Sequence, residues 1–598
     1  MPGIEQVQRS PQDAQLLLKP PMNKIIGRVL EGAIATNADQ ISELQLQRLH
    51  HNVDVPYILK IPHRLADGAE RNEVNNHPEI LSLFPNLTQH PLSLVHLEPT
   101  SADADPEGSR PLRVGVVLSG GQAAGGHNVI YGLFQYLSHR HPGSTLLGFL
   151  DGPRGIMQQR FKELTLTELE KYKNLGGFHL LGSGRDKIEK PEQLAAAAAT
   201  ATTLHLDGLV VIGGDDSNTN ACVLAEYFLA EGIPTAVIGV PKTMDGDLKC
   251  ADVPISFGFD TACKVYAEQV GNIMIDAASA RKYWHFIRLM GRSSSHVTLE
   301  TALQTHPQWA FVSEELAAAR TSLKDVASKV ADLVVARSAA GRNYGVVLLP
   351  EGLIENVYDF KAMISELNDL LAGGLDAADL GAVAAALSPP SQELFESLSV
   401  GFQREFLEDR DPHGNVQVSH IETEKLLIRL VESELAHRQG SGAVGGVQKF
   451  NGVPHFFGYE GRAALPSNFD ATYTYALGAA AGALVGAKKT GLMAAVTDLH
   501  RPAADWRVGG VPIVSMMHLE HRAGKDKPVI AKALVELGGA PMSAYRALRD
   551  HWALHDCYRS PGPIQFNGHK FADIGTITLA LEIHGGEPIL LKPVSDEF

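Results

Sequence analysis

Short apolar runs recur through the middle of the chain, and most end in glycine followed by polar or charged residues. RVGVVLSGG, STLLGFLDG, FHLLGSG, DGLVVIGG, PTAVIGVPKT, WHFIRLMG and YGVVLLPEG share this design. The runs are continuous rather than alternating, which predicts strands buried on both faces. Helical stretches separate them, so the pattern predicts an α/β fold with a mostly parallel sheet covered on both sides. In such sheets ligands bind beyond the carboxyl ends of the strands, and that is where the polar clusters fall. Residues 355–440 read as largely helical, as in IETEKLLIRLVESELAHR, and are expected to be an insertion. Residues 1–110 mix short helical patterns with proline-rich breaks and end in EPTSADADPEGSRP, which reads as an N-terminal extension. No short-period repeat of the solenoid kind is present.

Composition narrows the classes. At 598 residues the chain exceeds what one core usually holds, so two or more domains are expected. The net charge of −16, from 52 basic and 68 acidic residues, argues against nucleic-acid and membrane-surface partners, which call for basic patches. An anionic small substrate stays open, because a site is local and net charge is not. Cys222, Cys250, Cys263 and Cys557 form no CxxC pair. That predicts a reducing compartment, with neither a disulfide framework nor a thiolate zinc site. MPGIEQVQRSPQDAQ lacks an apolar signal core, and ALGAAAGALVGA at 476–487 is too short to span a bilayer. A cytoplasmic protein is expected.

The chemistry concentrates in a few turns. SGGQAAGGH at 119–127 is a glycine-rich turn before a helix, able to cradle a phosphate on backbone N–H groups or to serve as a tight structural turn. It is neither a Walker A loop nor GxGxxG, and GSGRDK at 182–187 fails the latter pattern too. In GGDDS at 213–217, Asp215 could hold Mg²⁺, a hard ion suited to carboxylate and phosphate oxygens. The ordinary alternative is that Asp215 to Asn218 cap the next helix. VPKTMDGDLK at 240–249 places Lys242, Thr243, Asp245 and Asp247 in one loop. A lysine just past a strand can neutralise a phosphoryl group, and an aspartate beside it can accept a hydroxyl proton. A calcium loop is excluded, because its last ligand position is Ser256. Arg292 in FIRLMGRSSSH, Glu351 in LLPEGLIE, and Tyr459 and Arg462 in FFGYEGRAALPS follow further strand-like runs. Arginine suits phosphate and glutamate suits sugar hydroxyls, although each alone reads more readily as a solvated or paired surface charge. His518 and His521 lack zinc-protease spacing, and no nucleophile elbow occurs.

Taken together, these turns resemble the phosphofructokinase superfamily. Its motif order is matched by SGG 119–121, GGDDS 213–217, TMDGD 243–247, MGR 290–292, PEG 350–352 and GYEGR 458–462. ATP-dependent members usually carry glycine where this chain has Asp216 and Lys242. A carboxylate at 216 takes the volume of the α-phosphate of ATP and repels it, at little cost to pyrophosphate. GGDDS with PKTMDGD is therefore similar to the pyrophosphate-dependent class, and the length and RLMGRSSSHVTLE resemble its long plant-type branch.

The resemblance implies transfer of a phosphoryl group between pyrophosphate and the 1-hydroxyl of fructose 6-phosphate, in both directions. It implies Asp245 as general base, Asp247 as its positioning partner and Asp215 as the Mg²⁺ ligand. Asp216 would select the donor. Gly121, Gly214 and Lys242 would receive pyrophosphate. Thr243, Met244, Met290, Gly291, Arg292, Glu351, Tyr459, Glu460, Gly461 and Arg462 would hold the sugar phosphate. Lys282 and Tyr283 would reach a neighbouring subunit's substrate, which implies a homodimer or higher homo-oligomer with shared sites. The implied fold has two Rossmann-like three-layer domains. Residues 111–258 and 461–530 would form the donor domain, and residues 259–460 and 531–598 the sugar-phosphate domain. The alternatives are an ATP-dependent enzyme, against which Asp216 and Lys242 argue; a non-catalytic regulatory subunit, which tends to lose the TMDGD, MGR and GYEGR residues kept here; and a nucleotide-binding module, which needs no Asp245, Asp247 and Arg462 together.

Overall fold

The computed structural model describes residues 48–49, 51–70, 78–89, 92–101, 110–408, 416, 421–441, 450–522, 525–564 and 576–584. In chain order its strands are β1 (His63–Glu70), β2 (Ser93–Pro99), β3 (Arg113–Leu118), β4 (Thr145–Phe149), β5 (Phe161–Glu163), β6 (Gly208–Gly213), β7 (Ala236–Pro241), β8 (Trp284–Leu289), β9 (Trp309–Ala310), β10 (Gly345–Pro350), β11 (Gly452–Phe457), β12 (Leu492–Thr497), β13 (Arg507–Pro512), β14 (Met517–Arg522) and β15 (Lys525–Ile530). A nine-stranded sheet runs β1-β2-β13-β12-β7-β6-β3-β4-β5, a four-stranded sheet runs β11-β8-β10-β9, and β14 pairs with β15. The centre of the large sheet, β12-β7-β6-β3-β4, is parallel. Its edges β5, β13, β2 and β1 are antiparallel. The second sheet is wholly parallel. The molecule is thus α/β, with one large mixed sheet and one smaller parallel sheet.

The apolar runs explain the centre of each sheet. Every residue of β6, β7, β8 and β10 is buried, as expected for strands covered by helices on both faces. β11, an edge strand, alternates between half-buried and exposed positions instead. Two readings need correction. FHLLGSG forms no strand: Leu181 N and Gly182 N both turn back to the Phe178 carbonyl, and Gly182 has φ +70°. Only Gly184 bridges to Ser119. Part of the 1–110 stretch set apart as an extension also belongs to the large sheet, because β1 and β2 lengthen it beyond β13.

The principal helices are α1 (Gly126–Arg140), α2 (Asp215–Ala230), α3 (Phe259–Ala280), α4 (His296–Thr305), α5 (Thr423–Gly440), α6 (Asn468–Gly486), α7 (Ala540–Leu554) and α8 (Ile577–His584). The Gly/Ala-rich α6 lies against α1. A Cβ at Gly478 would collide with the Val129 carbonyl, and one at Gly132 with the Tyr475 carbonyl. Small residues there permit close helix packing. Among the described residues no helix is long and apolar enough to cross a membrane. Most of the described residues of 353–440 are helical, and Glu424 on α5 pairs with Arg288 near the C-terminal end of β8 at 2.6 Å.

The chain passes from the large-sheet lobe to the second lobe at Gly258 and returns just before α6. The two crossings are tied together. Asp470 accepts from Gly258 N at 3.2 Å, Thr261 N at 2.9 Å and Thr261 Oγ1 at 2.5 Å. Ser467 Oγ caps α6 at Asp470 N and donates to Asp260 Oδ2 at 2.6 Å. Lys264 joins Asp260 at 2.8 Å. Asp470 thus satisfies free N–H groups at the start of α3, and Thr261 Oγ1 accepts from Ser467 N at the start of α6 at 3.0 Å in return.

Candidate active site

Both sheets change winding direction at the cleft between the lobes. In the large sheet the change falls between β3 and β6, whose ends carry Ser119–Gly121 and Gly213–Ser217. In the second sheet it falls between β8 and β10, whose ends carry Met290–Arg292 and Glu351. Crevices of this kind are the usual ligand sites of open α/β sheets.

The first half of the cleft is built for an anion. Gly120 has φ +84°, and a Cβ there would lie 3.3 Å from Lys242 Nζ. The Lys242 ammonium thus fills the space beneath the glycine turn, and a Cβ on Gly214 would stand 3.7 Å from it. A Cβ on Gly121 would lie 3.4 Å from Arg462 Nη1 and 3.8 Å from Arg185 Nη2, so two guanidinium groups converge on that turn. Ser119 and Ser217 hydroxyls meet at 2.8 Å and hold the two turns together. Asp215 opens α2 without capping it; the N-cap is Gly214, with no side-chain cap bond. Asn218 Nδ2 instead donates to the Gly213 and Gly214 carbonyls at 2.6 and 2.9 Å. Asp215 is left facing Lys242 and Asp247, whose ionisation it affects. Asp216 is the second residue of α2, half exposed, with Lys187 at 3.6 Å.

The loop after β7 brings Thr243, Asp245 and Asp247 to the floor of the cleft. Thr243 Oγ1 accepts from Asp245 N at 3.1 Å and donates to Asp247 Oδ1 at 3.3 Å. Gly246, with φ +77°, lets the chain turn between the two aspartates. Ser294 Oγ donates to the Asp245 carbonyl at 3.2 Å. Among the described residues no hydrogen bond reaches the Asp245 carboxylate. Burial, then the nearby Glu351, pushes its pKa up, while Arg292, Lys242 and Lys532 hold it back. Burial, then Asp245 and Asp215, pushes the Asp247 carboxyl up to about 7. Burial brings Lys242 down to about 8, against the pull of Asp245 and Asp215. A carboxylate with a raised pKa and a lysine with a lowered one are suited to proton transfer near neutral pH.

The second lobe closes the other side. Gly291 N, at φ +133°, donates to Glu351 Oε2 at 3.0 Å, and burial raises the Glu351 pKa. Met290 N donates to the Phe457 carbonyl and Tyr266 Oη to the Gly458 carbonyl, which fix the turn before Tyr459. Gly461 lies against the Tyr266 ring, where a Cβ would approach to 2.5 Å. The Arg462 guanidinium stacks 4.7 Å from the exposed Tyr459 ring, and its Nε is buried without a hydrogen-bond partner. Arg185, Arg292 and Arg462 make no ion pair among the described residues, in contrast with Arg288, Arg337 and Arg438.

Gly121, Gly214, Asp215, Lys242, Thr243, Asp245, Asp247, Arg292, Glu351 and Arg462 therefore converge. Met244 is buried beneath the loop, and Glu460 is exposed beside the Arg462 turn. Lys282 and Tyr283 do not join them. They precede β8, at the opposite end of the strand from Arg292, with the Lys282 ammonium 5.1 Å from the Tyr283 ring centroid. Arg185 and Lys532 escaped the sequence reading. Arg185 stood in GSGRDK, discarded because it is not GxGxxG; Lys532 follows β15 in no recognisable motif.

Among the described residues no group of three His, Cys, Asp or Glu side chains could hold a metal alone. The donor set still suits Mg²⁺. One carboxylate, Asp215, faces an anion site lined by Lys242, Arg185 and Arg462, and Mg²⁺ is commonly held by one or two carboxylates plus substrate phosphates.

Residues 113–402 match the family model described as Phosphofructokinase. The chain is 52% identical over 547 residues to the pyrophosphate–fructose 6-phosphate 1-phosphotransferase subunit beta of Ricinus communis, covering 91% of this chain and 98% of that one. It is 48% identical over 550 residues to the pyrophosphate–fructose 6-phosphate 1-phosphotransferase of Porphyromonas gingivalis, covering 90% and 99%. The subunit alpha 1 of Arabidopsis thaliana is 40% identical over 556 residues, covering 91% and 90%.

Proposed function

The chain belongs to the phosphofructokinase family, and we propose that it transfers a phosphoryl group from pyrophosphate to the 1-hydroxyl of fructose 6-phosphate. The products are fructose 1,6-bisphosphate and phosphate. The observation that carries this reading is Asp245: a carboxylate without an internal hydrogen bond, its pKa raised, set between Lys242 and Arg292 where both crevices open.

Pyrophosphate lies on the glycine turn, against Gly121, Gly214, Lys242 and Arg185. The sugar phosphate lies against Arg292, Glu351 and the Tyr459–Arg462 turn. Asp245 takes the proton of the sugar hydroxyl as its oxygen attacks the near phosphorus. The anhydride bond breaks, and phosphate leaves with its charge met by Lys242. Asp247, hydrogen-bonded to Thr243, holds the loop that aims Asp245. Asp215 would hold Mg²⁺, which when bound neutralises pyrophosphate oxygens. One anhydride is exchanged for one ester, so the reaction runs in both directions. Asp216 would take the volume that the α-phosphate of ATP needs, and Lys242 would offer a cation to the shorter pyrophosphate, which supports pyrophosphate over ATP.

Lys282 and Tyr283 lie too far along β8 to serve their own subunit's cleft. That placement supports a homo-oligomer in which they complete a neighbour's site. The cysteines are free, which supports a reducing, cytoplasmic setting. The test is a donor comparison with Mg²⁺ and fructose 6-phosphate. Product with pyrophosphate and none with ATP is expected. Turnover with ATP alone would keep the family and overturn the donor; turnover with neither would point to a regulatory subunit.

A further inference from the structure

After β15 the chain crosses the mouth of the cleft from the large-sheet lobe to the second lobe. This strap, residues 531–535, is anchored on both sides. Ala531 N donates to the Met516 carbonyl at 2.9 Å, and Ala533 N to the Asp247 carbonyl at 2.7 Å. On the far side, His296 Nε2 meets the Ala533 carbonyl at 3.1 Å. Burial lowers the His296 pKa to about 4, so that ring is neutral and its Nε2–H is the donor. Val535 N donates to Glu314 Oε1 at 3.0 Å. The strap is thus bonded to the loop that carries the general base and to the helix that follows Arg292.

Lys532 is the one long cationic side chain on this strap. Its Nζ donates to Ser293 Oγ at 2.8 Å, directly beside Arg292. That serine is neutral, and among the described residues Lys532 makes no ion pair. Its charge nonetheless reaches Asp245, Asp247 and Glu355. An ammonium has three N–H donors, and the hydroxyl uses one. Lys532 is therefore held at the cleft mouth beside Arg292, with donors to spare.

We propose that Lys532 is a further substrate-binding residue, donating to the acceptor sugar phosphate held at Arg292 while the strap sets its position. The proposal rests on the reading of the cleft as a pyrophosphate–sugar phosphate site. It assigns Lys532 to the acceptor, because its hydrogen bond goes to Ser293 on the second lobe, next to Arg292.

The test is Lys532→Met, with Lys532→Arg and Ser293→Ala beside it. A lost charged hydrogen bond raises the KM for fructose 6-phosphate about 10- to 100-fold. The KM for pyrophosphate stays within about twofold, and Tm is unchanged because Lys532 is exposed. Lys532→Arg restores part of the affinity, and Ser293→Ala gives a smaller shift in the same direction. Calorimetric binding of fructose 6-phosphate without donor reads the same loss and does not depend on turnover. An unchanged sugar-phosphate affinity would overturn the proposal, as would an equal rise in both KM values. So would a fall in kcat alone, the sign of a charge acting only on Asp245. If the unmodified protein gave no turnover with pyrophosphate, the functional reading would fail, and the binding measurement would still decide Lys532.

Discussion

Two pairs of aspartates lie in the interior, and they are built for different ends. Asp245 and Asp247 line the cleft; Asp260 and Asp470 join the two lobes where the chain crosses. Each pair contains a carboxyl that burial and a like-charged neighbour push up to about 7. A perturbed pKa therefore fails to tell them apart. Hydrogen bonding does. Asp470 accepts three donors from α3, and Asp260 Oδ2 accepts Ser467 and Lys264, with only Asp260 Oδ1 unsatisfied. In the cleft, the Asp245 carboxylate has no such bonds, and among the described residues Lys242, Arg292 and Lys532 around it make no ion pair. A buried group that the fold satisfies serves the fold, and one left open awaits a ligand.

The comparison can be broken by experiment. Asp470→Ala would leave Gly258 N and Thr261 N unpartnered in the interior, at about 1–3 kcal/mol for each, while Thr261 Oγ1 keeps Ser467 N at 3.0 Å. Urea denaturation is expected to show a loss of about 2 kcal/mol or more, with kcat of the folded fraction kept. A variant as stable as the parent would mean that the junction is not held this way.

A smaller effect concerns pH. The Asp470 carboxyl has its folded-state pKa raised from 3.8 to about 7, so the native state holds that proton more tightly than the unfolded chain. Stability from this group is full below about pH 4 and is lost as pH rises toward 7. The Tm of ligand-free protein should fall across that window less steeply in Asp470→Asn. An identical slope in the two proteins would remove Asp470 as its source.

The smallest expected effect lies at the rim of the cleft. Asp216→Gly should weaken pyrophosphate use severalfold and admit some ATP, read as the ratio of kcat/KM for the two donors. Unchanged pyrophosphate kinetics with ATP still excluded would show that Asp216 does not choose the donor.

Much of this was legible in the sequence. Continuous apolar runs marked the parallel centres of both sheets, because strands covered on two faces need no polar alternation. β12 and β13 were harder to see, since LMAAVT and RVGGVP are short and rich in alanine and glycine. FHLLGSG misled because its leucines are buried by a turn rather than by a strand. The cleft residues were readable wherever a strand ended in a motif. Arg185 and Lys532 arrive from loops without one, and only the fold brings them to the glycine turn and to Arg292. The junction of Asp260 and Asp470 was invisible, because its partners are about 200 residues apart.

The most direct measurement is kcat and urea stability of Asp245→Asn on one preparation, with pyrophosphate and fructose 6-phosphate. Loss of a general base costs about 10²- to 10⁴-fold in rate. That fall is expected with stability unchanged or higher, because Asp245 contributes no hydrogen bond to the fold through its carboxylate. Near-normal turnover, or a rate loss matched by unfolding, would contradict the account.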